Sequence, residues 1–171
     1  MKIFIIMPIS KTTEKHTKKY WNDFYSRIKK TIETNLKDEI YKLFKTNTIK
    51  IFRAETPQGN IVKDIINNLN SADIVIAILT DTNPNVFYEL GIRHSLSNHT
   101  IMLSQEEQKI PFDLSNYGVV LYKEHRRYTI IEKELLKRLN IIAQKKDIVD
   151  SPVKDFLQIQ KNITISNKKK F

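Results

Sequence analysis

Two runs, residues 2–7 and 74–79, are apolar apart from Lys2 at the start of the first, and they constrain the fold of this chain more than any other feature. Each run is long enough for a strand and has no polar face, which is typical of strands buried on both sides of a parallel sheet. Pro8 ends the pairing of the first run because proline has no backbone N–H to donate. Strands of this kind need helices on both faces of their sheet, so the two runs predict an α/β fold.

Segments with helical spacing separate the apolar runs. Their apolar residues recur at intervals of three and four, which places them on one face of a helix. The predicted faces comprise Trp21, Phe24, Tyr25, Ile28, Ile32 and Leu36, then Ile40, Leu43 and Phe44 after a break near Asn35, then Ile61, Ile65 and Leu69, and finally Ile131, Leu135, Leu139 and Ile142. Another helix is predicted over residues 86–96, and Gly59-Asn60 resembles a helix start. Shorter strands are predicted at residues 49–52, 101–103 and 119–122, and loops at 9–19 and around Pro111-Phe112-Asp113.

This alternation predicts a single-domain, three-layer sandwich with a five-stranded, mostly parallel sheet in the flavodoxin-like order 2-1-3-4-5. Residues 1–147 would form the domain, and residues 148–171 a C-terminal extension with a basic tail. Ligands of such sheets bind beyond the carboxyl ends of the strands, where the strand order reverses. That place lies between the first and third strands.

Composition excludes several classes of site. The chain has no cysteine, which rules out disulfides, thiol nucleophiles and cysteine-ligated zinc. Its three glycines cannot form a G-x-G-x-x-G fingerprint or a P-loop. The histidines lack the i, i+4 spacing of a metal-binding helix, so we expect no metal site. They are His16, His94, His99 and His125.

The net charge of +10, from 29 basic and 19 acidic residues, favours an anionic small molecule as ligand. The lysines are scattered without interleaved aromatic residues, so we expect a solvated surface and no nucleic-acid partner. No apolar run reaches the roughly 18 residues that span a bilayer. The N-terminus lacks the features of a signal peptide. We therefore expect a cytoplasmic protein without membrane contact.

Polar residues gather at the predicted crevice. Pro8 and Ser10 follow the first strand, Asp81 and Asn83 follow the third, and Glu89 lies near the start of the next helix. The simplest interpretation of Glu89 is a favourable helix-start carboxylate, paired with Arg93 at i+4. The alternative is a catalytic carboxylate that faces the crevice.

The segments 72–77 and 83–91 resemble a superfamily that groups nucleoside 2-deoxyribosyltransferase-like proteins with bacterial TIR-like domains. Phe87-Tyr88-Glu89-Leu90-Gly91 is the most specific match, and Gln58-Gly59 and residues 110–114 add to it. The resemblance covers about residues 2–122. It implies that Glu89 is the catalytic carboxylate of an N-glycosidase, an enzyme that cleaves the bond between a base and ribose.

The chain departs from the deoxyribosyltransferase pattern at Asn83, where those enzymes usually carry an aspartate. A purine or pyrimidine leaving group needs a proton. Nicotinamide, in contrast, is bonded to ribose as a pyridinium cation, so it departs as a neutral base without a proton. The departure favours cleavage of NAD or a related nucleotide, as in TIR-like NADases and cyclases of bacterial anti-phage defence. Base hydrolysis or transfer, with Asp81 or Asp113 as the acid, stays open. A catalytically silent nucleotide-sensing or assembly module also stays open.

The remaining candidates would bind this substrate, with no separate cofactor. Asp81 and Asn83 would position ribose hydroxyls, Ser10 and Arg53 would contact phosphate, and Tyr88 would stack on a base. Pro8 and Asn85 would also contact the substrate. Three of these residues have a structural alternative: a turn for Ser10, a salt bridge with Glu55 for Arg53, and the core for Tyr88. By resemblance we also expect a homo-oligomer and a defence-system partner protein. The apolar stretch Trp21-Phe24-Tyr25 would pack either in the core or at the interface of such an oligomer.

Overall fold

The computed structural model describes residues 1–54, 61–124, 127–144 and 148–157. Its strands are β1 (Lys2–Ile6), β2 (Lys50–Arg53), β3 (Ile74–Ile78), β4 (Thr100–Gln105) and β5 (Val120–Tyr122). Its helices are α1 (Lys18–Lys30), α2 (Lys37–Phe44), α3 (Ile61–Ser71), α4 (Pro84–Leu96), α5 (Phe112–Ser115) and α6 (Arg127–Gln144). The predicted helix start at Gly59-Asn60, the Gln58-Gly59 match, His125 and the basic tail lie outside the described residues.

The five strands form one sheet in the order β2-β1-β3-β4-β5, and all four pairings are parallel. Ile3 pairs with Ile51 on one side and with Ile74 on the other, so β1 is an interior strand of the sheet. The predicted fold class and strand order are confirmed. Strand ends differ from prediction by one or two residues, and α5 is an unpredicted turn of helix within the loop around Pro111.

Alternate residues of the strands pack into two separate cores, one on each face of the sheet. Ile3, Ile5, Ile74, Ile76 and Ile78 face a core that also contains apolar residues of α1, α2 and α6. The intervening residues of β1 and β3 face a second core, which is completed by Leu69, Val86 and Leu90 of α3 and α4. The continuous apolar runs are therefore buried on both faces, as their composition predicts.

The predicted break near Asn35 is a π-helical turn, Thr31–Asn35, which separates α1 from α2. The Thr34 hydroxyl donates to the carbonyl of Lys30 at 2.6 Å within this turn. Trp21 and Phe24, on the preceding helix, are completely buried in the chain's own core. Of the two alternatives for this stretch, packing in the core is therefore the one observed for these two residues, because neither presents surface to a partner.

Residues 148–157 pack against the amino end of β4 and the last turn of α4. The Thr100 N–H donates to Asp150 Oδ2 at 2.7 Å, and the buried Ser151 hydroxyl donates to the carbonyl of His94 at 2.8 Å. Residues 152–157 are helical. Within the described residues, no helix has the length and apolar character required to cross a membrane.

Candidate functional site

Helix α4 begins at the edge of the crevice beyond β3. Asn83 caps it, because its Oδ1 accepts from the N–H groups of Asn85 at 3.0 Å and Val86 at 3.4 Å. Pro84 occupies the first turn, where its missing N–H costs nothing. Val86 and Leu90 anchor the helix in the core. Glu89 is thereby held one turn inside a helix start that faces the crevice.

Arg93 does not pair with Glu89. Its buried guanidinium turns away, and Nη1 donates to the carbonyls of Leu69 at 2.6 Å and Ala72 at 3.0 Å. Nη2 donates to the carbonyl of Asn98. No described residue forms a hydrogen bond or ion pair with the carboxylate of Glu89, so the simple helix-start salt bridge is not formed.

Burial controls the ionisation of Glu89. Loss of water around the carboxylate raises the pKa of Glu89 to about 7, because burial disfavours the charged form. A carboxylate whose pKa is raised by burial, with no charged partner among the described residues, is uncommon for a residue with a purely structural role. Shifts of this kind concentrate at functional sites.

Glu89 lies in a cavity of about 310 Å³ between the end of β1, α3 and α4. Its walls are mainly apolar, and Tyr88, 63% exposed, stands at the mouth. Among the described lining residues, Glu89 is the sole carboxylic acid, and none is a lysine or arginine. The lining is Ile5, Ile6, Met7, Pro8, Ile9, Ser10, Ala54, Ile61, Val62, Ile65, Ile66, Asn83, Asn85, Val86, Tyr88, Glu89 and Ile92.

The cavity brings together six of the eight residues predicted for the site. Pro8 and Ser10 come from the loop after β1, whereas Asn83, Asn85, Tyr88 and Glu89 come from the start of α4. The exposure of Tyr88 excludes the alternative in which it belongs to the core. Its ring is free to contact a molecule that enters the cavity.

Arg53 does not line the cavity. Its Nη2 donates to Asn22 Oδ1 at 2.6 Å, its Nη1 donates to the carbonyl of Trp21 at 3.5 Å, and its guanidinium lies over the ring of Tyr25 at 4.5 Å. All three partners belong to α1, on the opposite face of the sheet from α4. The predicted phosphate contact is therefore replaced by packing against α1, and the alternative partner, Glu55, lies outside the described residues.

Asp81 does not line the cavity either. Its Oδ2 accepts hydrogen bonds from the hydroxyl of Thr12 and from His16 Nδ1, the latter at 2.7 Å. Because Oδ2 is engaged by the loop after β1, the placement of Asp81 lends no support to the predicted contact with ribose or to a role as acid. Asp113 is exposed on α5 and does not line the cavity either.

The sequence interpretation missed the apolar walls. Val62, Ile66 and Ile92 line the cavity, and Val62 and Ile66 are 49% and 37% exposed. The four-residue spacing of Val62 and Ile66 predicts an apolar face of α3. It does not show where this face extends beyond the sheet and lines a cavity. Thr12 and His16 were also missed, since they lie in a polar loop with no repeating pattern.

Comparison with known proteins supports the fold. The solved structure of a 2-deoxyribosyltransferase from the psychrotolerant bacterium Bacillus psychrosaccharolyticus is similar, with a TM-score of 0.52 over 80% of this chain and 96% of that one. The two sequences are 15% identical, so the likeness concerns the fold alone. No protein-family model matches the chain. No curated protein matches it in sequence.

Proposed function

We propose that the protein cleaves N-glycosidic bonds, with Glu89 as the carboxylate that acts on C1′ of the sugar. The observation that carries the proposal is a desolvated carboxylate in an apolar cavity, without a hydrogen-bond or ion-pair partner among the described residues and placed where the strand order reverses. The fold shared with a 2-deoxyribosyltransferase adds support.

The chemistry needs one carboxylate beside the sugar. As the base departs with the bonding electrons, positive charge develops on C1′ and the ring oxygen. The ionised Glu89 either stabilises this charge or bonds to C1′, and water or another acceptor then completes the reaction. Apolar walls strengthen the attraction, because few water molecules screen it.

The composition of the cavity favours a leaving group that departs without a proton. Glu89 is the sole acid among the described lining residues. Because it acts on C1′ of the sugar in this proposal, it is not available to protonate the departing base. Nicotinamide attached to ribose is already cationic and leaves as a neutral base, so it needs no second acid. We therefore propose NAD or a related nicotinamide nucleotide as substrate.

The size of the cavity suits part of such a molecule. A volume of about 310 Å³ lies at the lower end of ligand sites and is sufficient for a nucleoside. Since no lysine or arginine is present among the described lining residues, the phosphates would extend out of the mouth past Tyr88. The nicotinamide and its ribose would occupy the interior.

A second candidate is base exchange between deoxynucleosides, which the structural similarity favours. Against it stands the placement of Asp81 and Asp113 outside the cavity. Asn83 can donate a hydrogen bond to a base but cannot protonate one.

The first experiment is mass spectrometry of small molecules after incubation with purified protein. The mixture contains NAD, NADP, nicotinamide riboside, nucleosides and deoxynucleosides. We expect release of nicotinamide, and a loss on the order of a thousandfold or more in Glu89→Gln. Glu107→Gln, which changes an exposed carboxylate outside the cavity, is the matched control and retains activity.

Other outcomes are equally informative. Release of a purine or pyrimidine supports the second candidate. Full activity in Glu89→Gln refutes the site. A nucleotide that raises the melting temperature but stays chemically unchanged indicates a sensor and refutes an enzyme.

A further inference from the structure

A group of hydrogen bonds joins the carboxylate of Asp81 to the loop after β1. Asp81 Oδ2 accepts from Thr12 and from His16, whose Nδ1 is 2.7 Å away. The side chains of His16 and Asp81 are only 11% and 12% exposed. Charge-assisted bonds shielded from water in this way are stronger than those on a surface.

These bonds hold a loop that is closed on itself. The Thr12 N–H donates to the carbonyl of His16 at 3.0 Å, and Trp21 Nε1 donates to the Thr12 hydroxyl at 3.1 Å. The ring of His16 lies 4.3 Å from the ring of Tyr20. Residues 12–16 are therefore fastened both to α1 and to Asp81.

The backbone of Asp81 adopts the left-handed conformation, with φ of 67°. This conformation is costly for residues other than glycine, and it persists where surrounding contacts hold it. Here the Asp81 N–H donates to Gln108 Oε1 at 2.8 Å while the carboxylate binds the loop. Asp81 lies two residues before Asn83, which caps the helix of Glu89.

We infer that Asp81 is a positioning residue that clamps the loop after β1 against the start of α4. The loop supplies Pro8 and Ser10 to one wall of the cavity, and α4 supplies Glu89 to the other. The clamp joins the two walls and so sets the distance between the carboxylate and a bound sugar. This inference rests on the proposed function.

Two substitutions of Asp81 test the clamp, because the residues that they introduce tolerate the positive φ at this position. Asp81→Gly accepts the positive φ but removes the carboxylate, whereas Asp81→Asn tolerates this φ and retains an acceptor. With nicotinamide riboside as substrate, we expect kcat/KM of Asp81→Gly to fall by about 10- to 100-fold, mostly in kcat, because a misplaced reacting group slows the chemical step. Asp81→Asn should stay within about threefold of wild type.

Limited trypsin digestion gives a readout that needs no activity. Lys11 and Lys15 are exposed on the clamped loop, and cleavage after them is identified from fragment masses. We expect Asp81→Gly to be cut there about tenfold faster than wild type, since cleavage requires local opening of the loop. His16→Phe keeps an aromatic ring beside Tyr20 but removes the hydrogen bond to Asp81. Its effect on the cleavage rate should not add to that of Asp81→Gly, because both substitutions break the same bond.

Two results would overturn the inference. Wild-type rates of trypsin cleavage in Asp81→Gly would show that the carboxylate does not hold the loop. Faster cleavage with unchanged kcat and KM would show a merely structural role. A wild-type protein that cleaves no compound would instead refute the proposed function, and the trypsin result would still decide whether the clamp exists.

Discussion

Glu89 combines two properties that oppose each other at neutral pH. Burial stabilises its protonated form, whereas action on C1′ requires the ionised form. With a pKa of about 7, the free protein at pH 7 contains comparable amounts of both. A cationic substrate would favour the active, ionised form on binding.

The pH dependence of the rate follows from this balance. Because the ionised carboxylate is the active form and burial raises the pKa of Glu89 to about 7, kcat/KM should rise with pH through about 7 and then level off. Initial rates of nicotinamide release between pH 5 and 9 would measure the profile. A rate that declines through pH 7 would show that Glu89 acts as an acid.

Arg53 lies outside the described lining of the cavity, so we expect it to contribute to stability and not to substrate binding. Arg53→Met should keep KM within about threefold of wild type but lower the free energy of unfolding by about 1–2 kcal/mol, through loss of the bond to Asn22 and the contact with Tyr25. Urea denaturation and steady-state kinetics would measure the two effects. Arg53→Lys keeps the positive charge but lacks the planar guanidinium group. A KM that rises in both variants would support the predicted contact between Arg53 and phosphate.

Helix α4 depends on its cap. Asn83→Ala should lower the free energy of unfolding by about 1 kcal/mol, because two N–H groups lose their acceptor. Asn83→Asp keeps an acceptor and adds a carboxylate beside the cavity, six residues before Glu89. We expect it to raise cleavage of purine nucleosides relative to nicotinamide riboside, measured by chromatography of the released bases. An unchanged ratio would mean that position 83 does not reach the leaving base.

Strands and helices could be predicted where a single sequence pattern, a continuous apolar run or a helical spacing of apolar residues, identified them. The runs at residues 2–7 and 74–79 gave the central strands, because only a doubly covered strand tolerates apolar residues on both faces. Helical spacing located α1 and α6 for a similar reason. The turn of α5 has four residues and no apolar period, so no signal marked it.

The site was predictable in its position along the sheet but not in the direction of each side chain. Arg53 follows Ile51 by two residues on β2, and Ile51 faces the core beside α1. This period of two, applied to Arg53, would have placed it away from Glu89. The orientation of Asp81 depends on a left-handed backbone and on a loop 65 residues earlier, and neither leaves a local pattern.

On the scale of the whole molecule, residues 148–157 close the end of the sheet opposite the cavity. Truncation after residue 147 would remove the bonds from Asp150 and Ser151 to Thr100 and His94, and we expect it to lower the free energy of unfolding by about 2–4 kcal/mol. Truncation after residue 157 keeps both bonds and is the matched control. Denaturation of the two variants would decide, and equal stability would show that the segment contributes nothing to the domain.

The parallel pairing of β1 with β3 has a consequence for synthesis on the ribosome. The strands meet across a wide gap in the sequence, as the bond between Lys2 and Asp73 shows with its separation of 71 residues. A nascent chain can pair β1 with β2 first, but one edge of β1 stays open until β3 emerges. At about 5–20 residues per second, that edge would wait several seconds. The cavity can form only after β3 has paired with β1. The proposed binding of a nucleoside would therefore report when this pairing is complete.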